Sequence, residues 1–307
     1  MKTVTRIGKY DVNKYVLYIN KNPDVMDTIL NLYNDFDLNG ILNFIEDLDL
    51  NNPYQKSKLD HKWYRNYKKE IKQVLIKDQE FLETSENKYL EDAYTKKIYN
   101  KSATKYDEIW DGVFAYELRG EVVDWLEVQP NEKILEIGVG TGNNIKYFPN
   151  DVDLIGIDYA SNMLDIATNK AIQFDKKVKL IQMDAQKLIF KDDSFDKVLC
   201  FYSLCSMSDP GNVLHEICRV IKDKGRLVVF DVIKSDIDEI ALIQYLFRPI
   251  AKKFGAIYLE FSPPYVITYD SYLDLFSILD ESNFKLEKSK YMDPLRTIAL
   301  LAFTINK

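Results

Sequence analysis

The residues best suited to chemistry lie in Glu136-Ile137-Gly138-Val139-Gly140-Thr141-Gly142. A short apolar run ends in an acid, and three glycines then alternate with single residues. Glycine reaches positive φ freely and has no Cβ, so such a loop can turn sharply and bare its N–H groups to a ligand lying on the main chain. Ile134, Leu135 and Ile137 suit a buried parallel strand leading into the loop. Residues 143–148 allow a short helix before Pro149, which would aim the ligand at a helix N-terminus. The dinucleotide fingerprint G-x-G-x-x-G/A fails, because its sixth position is Asn143. A second acid, Asp158, ends the run Leu154-Ile155-Gly156-Ile157. A carboxylate at a strand tip can accept two neighbouring hydroxyls in one bidentate contact. The plain alternative is a glycine-rich turn that holds nothing.

Acid-x-G-x-G-x-G is the glycine loop of the class I S-adenosylmethionine (SAM) methyltransferases, and from about Tyr106 onward the chain resembles that family. The resemblance implies that Glu136, Gly138, Gly140 and Gly142 surround the amino-acid tail of SAM and that Asp158 takes the ribose hydroxyls. Tyr159, next to Asp158, and Phe201, at the end of the fourth strand, are counted with them. Asp184 and Ala185 match the family's contacts to the adenine amino group, although turn chemistry also explains Asp184. Met163 would lie near adenine or simply pack in the core. Tyr106-Asp107 resembles a pair that closes over the cofactor, although ordinary helix packing also accounts for Tyr106. Ser262-Pro263-Pro264-Tyr265 resembles a base-gripping motif of DNA methyltransferases, but it follows the fifth strand instead of the fourth.

A sulfonium methyl is already activated, so the enzyme mainly aligns nucleophile, methyl and sulfur. Neither a triad nor a metal is needed. A base could still help remove a proton, and Tyr202 and His215 are the candidates, His215 also fitting an ordinary helix surface. Tyr258, Phe261 and Tyr265 would shape an aromatic lid over the substrate. The resemblance is to the quinone-biosynthesis and phospholipid branch, which implies methyl transfer to a small-molecule or lipid-like acceptor. Transfer of another arm of SAM, cyclisation, elimination, and a non-catalytic SAM-binding scaffold remain as alternatives.

These residues need a frame. From Lys133 strands and helices alternate, which predicts an α/β, Rossmann-like seven-stranded sheet with helices on both faces. The strands are expected at 133–137, 153–158, 178–183, 197–202, 226–231, 284–291 and 297–304. The short link Asp293-Pro294-Leu295-Arg296 predicts a hairpin, hence an antiparallel last strand. Ser161 is expected to cap the helix 162–171, and Asp209-Pro210 to start another. Helices are further expected at 237–254 and 272–279. Residues 1–95 read as a helical N-terminal domain, with Gly40 breaking one segment and a Lys-rich face on a helix over 59–79. Residues 96–307 read as the SAM-binding domain. The N-terminal helices could cover the pocket or mediate dimerisation.

Composition narrows the class. The 307 residues are 46% apolar with net charge −7, which suits a globular core and argues against a broad nucleic-acid surface. No apolar run approaches the length of a membrane span, and the N-terminus lacks an apolar signal core. Three cysteines without C-x-x-C spacing and two histidines predict reduced thiols, no metal site and a cytoplasmic protein.

Overall fold

Runs of Ile, Leu and Val too apolar for either surface of a water-facing sheet demand cover on both sides. The computed structural model, which describes residues 6–12, 14–15, 28, 37–48, 85–110, 118–246, 273–279 and 283–307, supplies that cover. The chain begins with a hairpin, β1 (Arg6–Ile7) and β2 (Tyr10–Asp11), then α1 (Leu38–Glu46). Next come α2 (Ser85–Trp110) and α3 (Leu118–Asp124). The sheet region follows: β3 (Lys133–Ile137), β4 (Asp153–Asp158), α4 (Ser161–Gln173), β5 (Val178–Gln182), β6 (Phe195–Phe201), α5 (Pro210–Val220) and β7 (Ile221–Val232). It ends with a helix at 238–246, α6, then α7 (Leu275–Ile278), β8 (Phe284–Tyr291) and β9 (Ile298–Ile305).

The main sheet runs β5-β4-β3-β6-β7-β9-β8. Neighbours from β5 to β7 pair in parallel, and β9 is antiparallel to both β7 and β8. Asp293 closes the β8–β9 hairpin by accepting the N–H groups of Leu295, Thr297 and Ile298 at 2.9, 2.9 and 2.7 Å. Side chains alternate across the sheet with period two. Leu135 and Ile137 join the apolar cluster under α5, whereas Ile134 joins the cluster under α3 and α4. The expected seven-stranded α/β sheet with a reversed last strand is therefore present.

Several local expectations need correction. Residues 143–148 hold only a 3-10 turn, Ile145–Tyr147, because Pro149 and the loop leave no room for a longer helix. Ala160 stands at the N-cap of α4, and Ser161 is already inside the helix. In the first turn the Asn162 N–H is held from outside, by Asn100 Oδ1 at 2.9 Å. Gly40 does not break a helix but lies in the first turn of α1, its N–H held by Asp37 Oδ1 at 2.9 Å. The fifth strand starts at Ile221, not Arg226, with a register shift opposite Phe195–Lys197. α7 spans four residues, shorter than expected.

The N-terminal segment brings the β1–β2 hairpin where only helices were expected, and α2 runs unbroken across residue 95. Ile7, Tyr10, Val12, Tyr15, Ile41 and Ile45 bury their side chains against α6 and Leu295. The Tyr10 phenol donates to Glu239, and Lys9 bridges Glu46 and Glu239 at 3.4 and 3.9 Å. The helices expected over residues 23–32 and 59–79 fall wholly or largely outside the described residues.

Candidate active site

The glycine loop leaves β3 at the C-terminal edge of the parallel strands, where α/β folds bind ligands. Gly138, Gly140 and Gly142 all have positive φ, at 69°, 54° and 81°. Two of them are needed for close packing. A Cβ on Gly138 would sit 2.6 Å from Ser203 Cβ, and one on Gly142 would sit 2.9 Å from Ala167 Cβ. At Gly140 a Cβ would meet nothing nearer than the Gly138 carbonyl oxygen at 4.0 Å. The loop is thus bare and open at its middle glycine.

Asp158 at the tip of β4 stands beside that opening. Its Oδ2 accepts Gly140 N–H at 2.9 Å and its Oδ1 accepts Ala160 N–H at 2.8 Å. A carboxylate offers about four lone-pair sites, so Asp158 keeps accepting capacity beyond its backbone N–H partners Ala160, Gly140 and Tyr159. Burial raises the carboxyl's pKa, against the pull of the backbone N–H groups of Ala160 and Gly140. Tyr159 follows, its ring beneath the Lys96 ammonium at 4.5 Å.

Glu136 lies under the loop, 1% exposed. Its Oε1 accepts from Asn144 Nδ2 at 2.7 Å, and its Oε2 has no hydrogen-bond partner among the described residues. Burial pushes this carboxyl up to about 7, against the Asn144 hydrogen bond and the Arg119 charge. Arg119, itself buried, donates to Asn144 Oδ1 at 2.8 Å and spreads over the Phe201 ring at 4.5 Å. One pocket therefore carries a buried cation and a buried anion around an amide.

Helix α2 roofs this end. Ala103, Met163 and Ala160 pack together with Tyr99, Tyr106 and Ile166 alongside, so Met163 is built into the roof contact. The Tyr106 phenol lies within electrostatic reach of Arg119 and Asp158, and burial raises its pKa. One residue on, Asp107 accepts from Thr141 Oγ1 at 2.6 Å and from Asn143 Nδ2 at 2.9 Å, both in the loop.

The remaining strand tips close the cleft. After β5, Asp184 Oδ1 accepts Gln186 N–H at 2.8 Å, a side-chain turn that fixes the chain beside buried Ala185. After β6, Tyr202 has φ 48° and stacks edge-on against Phe201 and Phe230, with centroids 5.5 and 4.9 Å away. Burial raises the Tyr202 phenol, so it keeps its proton at neutral pH and suits donation better than abstraction. At the tip of β7, fully buried Asp231 accepts the N–H groups of Ser203, Leu204 and Cys205 at 3.1, 2.8 and 3.4 Å. Burial pushes the Asp231 carboxyl up to about 6, against those bonds. It caps the turn that abuts Gly138.

Not every candidate arrives here. His215 sits on the exposed side of α5, whose buried face is Val213, Leu214, Ile217 and Val220, so it is remote from the cleft. Tyr258, Phe261 and Tyr265 lie outside the described residues. Arg119, Asn144, Lys170 and Asp231 were not anticipated. Asp231 had a signal, since Leu227-Val228-Val229-Phe230-Asp231 repeats the apolar-run-then-acid pattern of Asp158. Arg119 had none, because a charged residue on a short helix reads as solvated.

Sheet order, reversed closing hairpin, glycine loop and strand-tip acid together define a SAM-dependent methyltransferase type of α/β domain. Residues 135–229 match the family described as methyltransferase domain. Over these residues the chain is similar to methyltransferase domains. It is 32% identical over 148 residues to the demethylmenaquinone methyltransferase of Thermotoga maritima, covering 46% of this chain and 62% of that one. It is 31% identical over 114 residues to a phosphatidylethanolamine N-methyltransferase of Cereibacter sphaeroides, covering 36% and 56%. An uncharacterised protein of Methanocaldococcus jannaschii is 32% identical over 137 residues, and the chain spans 51% of its length. The chain thus spans about half to three fifths of the length of these relatives, 51% to 62%. The solved structure of the YcgJ protein from Bacillus subtilis shares the fold, with TM-score 0.50, 18% identity, and coverage of 62% of this chain and 99% of that one. Among the described residues no helix is long and apolar enough to cross a membrane, and no group of His, Cys, Asp and Glu could hold a metal.

Proposed function

We propose that this chain transfers the methyl group of SAM to a small, lipid-like acceptor. The observation that carries the reading is the partnerless Glu136 Oε2 buried under a loop whose middle glycine is open beside Asp158. The residues fit SAM in three places. Glu136, ionised, would hold the ammonium of the amino-acid tail, and buried Arg119 would hold its carboxylate. Asp158 would take the ribose hydroxyls with its carboxylate oxygens. Asp184 and Ala185, after β5, would line the adenine, with Tyr106 and Phe201 closing the sides. When bound, SAM supplies an activated sulfonium methyl. The chain's own part is to align it with the acceptor and to exclude water, a task that requires no triad.

Tyr202 and the Asp231-capped turn flank the methyl position on this reading, with the Tyr202 phenol donating a hydrogen bond to the acceptor. His215 has no part in it. Relatives named for demethylmenaquinone and phosphatidylethanolamine support an acceptor of lipid-like chemistry. The side chains of Ile7, Tyr10, Val12, Tyr15, Ile41 and Ile45 pack on α6, which supports a role in covering this domain in preference to pairing two copies.

Calorimetric titration with SAM tests the core of the reading. Asp158→Ala is expected to weaken SAM binding by roughly ten- to a hundredfold, the value of one charge-assisted bidentate contact. Unchanged affinity, or wild-type protein indifferent to SAM, overturns it. Turnover against a lipid extract should release S-adenosylhomocysteine; methylthioadenosine would mean that another arm of SAM reacts.

A further inference from the structure

Three elements, α2, the glycine loop and α4, meet at one ammonium. Lys170, in the last turn of α4, has only 16% of its side chain exposed. Its Nζ donates to Asp107 Oδ2 at 2.5 Å, to Thr141 Oγ1 at 3.3 Å and to Asn143 Oδ1. An ammonium has three hydrogens, and three protein acceptors take them. The acceptors are themselves cross-linked, because Thr141 and Asn143 both donate to Asp107 Oδ1. The result is a closed ring of four side chains joining α2, the glycine loop and α4. Burial alone would raise the Asp107 carboxyl, but the hydrogen bonds from Lys170 and Thr141 hold it below its ordinary value. It stays ionised throughout the neutral range.

The loop needs such a brace. Glycines at positive φ are the residues with the most conformational freedom to lose on ordering, so a loop with three of them is not rigid by itself. A ligand that binds a loosely held loop must order it, and that cost is subtracted from its affinity. Elsewhere α2 is attached to α4 by lighter contacts. Asn162 donates two hydrogen bonds to Asn100, from its N–H to Oδ1 and from its Nδ2 to the carbonyl, both at 2.9 Å, and Ala103 meets Ala160 and Met163. The charged ring is the fastening at the end of the roof that lies over the loop.

We propose that Lys170 is a positioning residue that latches the roof helix α2 onto the glycine loop and so sets how long the cofactor stays bound. Lys170 touches no cofactor itself. It acts through Asp107, Thr141 and Asn143, and the inference rests on the SAM-binding reading given above. Fully satisfied polar networks rigidify what they join, and the loss of one member leaves the others short of a partner.

The test is stopped-flow association and dissociation of SAM with wild type, Lys170→Met, Lys170→Arg, Asp107→Asn and the Lys170→Met/Asp107→Asn double variant. Lys170→Met is expected to raise the dissociation rate tenfold or more while association changes less than threefold. Lys170→Arg should restore most of the residence time, because it keeps the charge and the donors. The double variant should be no worse than the poorer single one, as expected for two members of one ring. Should Lys170→Met fail to fold, Thr141→Val removes one hydroxyl from the ring and is expected to raise dissociation about threefold. Dissociation within twofold of wild type in the folded variant, or additive single effects, overturns the latch while leaving SAM binding intact. Wild type that ignores SAM overturns the cofactor reading and the latch with it.

Discussion

β3 and β7 leave the sheet at the same edge, and their exits are secured in opposite ways. The exit of β3 is a loop with three glycines at positive φ, tied by polar groups to Asp158, Asp107 and Lys170. The exit of β7 is a helix whose Ile240, Leu242, Ile243 and Leu246 are buried with Ile7, Tyr10, Tyr15, Ile41, Ile45 and Leu295. Gln244 staples its start, accepting Ser235 N–H at 2.8 Å and donating to the Ile233 carbonyl at 2.9 Å. The first exit presents backbone to a ligand and needs rigidity without side-chain bulk. The second presents packed side chains and takes them from the far end of the chain. A fold divided in this way can vary the second wall while leaving the first unchanged.

That division can be broken or sharpened by substitution. The largest effect is expected at the packed exit. Ile45 is 1% exposed, and Ile45→Ala should cost about 3–4 kcal/mol of stability in chemical denaturation, with SAM affinity unchanged within twofold. A matching loss of SAM affinity would mean that the two exits are one unit. Next comes the bare exit. Gly142→Ala forces φ 81° on a residue with a Cβ and brings that Cβ to 2.7 Å from Ile145 Cδ1. The expected cost is about 3 kcal/mol in stability, from left-handed strain plus overpacking, with SAM binding lost at least tenfold. Retained SAM affinity would show that the loop does not carry the cofactor.

The smallest effect is a pH dependence. Glu136 is raised from 4.5 to about 7 by burial. The folded state then holds its proton more tightly than the unfolded state, so this stability is present in full below pH 4.5 and is lost as pH rises through about 7. Between pH 5 and pH 8 the loss is about 2.5 kcal/mol in the absence of ligand. Glu136→Gln should remove that slope from the denaturation free energy. An unaltered slope would mean that the carboxyl titrates normally. SAM should bind better above pH 7, where Glu136 is ionised, and the same substitution should flatten that rise.

What could be read from sequence follows the same split. β3 and β4 begin and end where apolar pattern and turn residues put them, because each is a continuous run with clear punctuation. Asp158 stood out because an acid directly after an apolar run has few structural reasons to be there. Lys170 and Arg119 did not stand out, since a lone cation on a helix carries no mark of burial; only the approach of α2 and Phe201 makes them functional candidates. The β1–β2 hairpin was invisible because two-residue strands contain no period to detect. His215 could have been set aside earlier, since the apolar positions 213, 214, 217 and 220 already assign it to the opposite side of its helix.

The clasp between the N-terminal hairpin and α6 has a consequence for birth of the molecule on the ribosome. Tyr10 and its partner Glu239 are separated by 229 positions. At ordinary elongation speeds the hairpin waits on the order of tens of seconds before its docking helix exists. During that interval Ile7, Tyr10 and Ile45 have no native cover, so nascent chains are exposed to chaperones at one end while the glycine-loop half is already able to close. The hairpin is covered only after residues 238–246 have been made, and refolding in vitro should be slowed by that long-range closure.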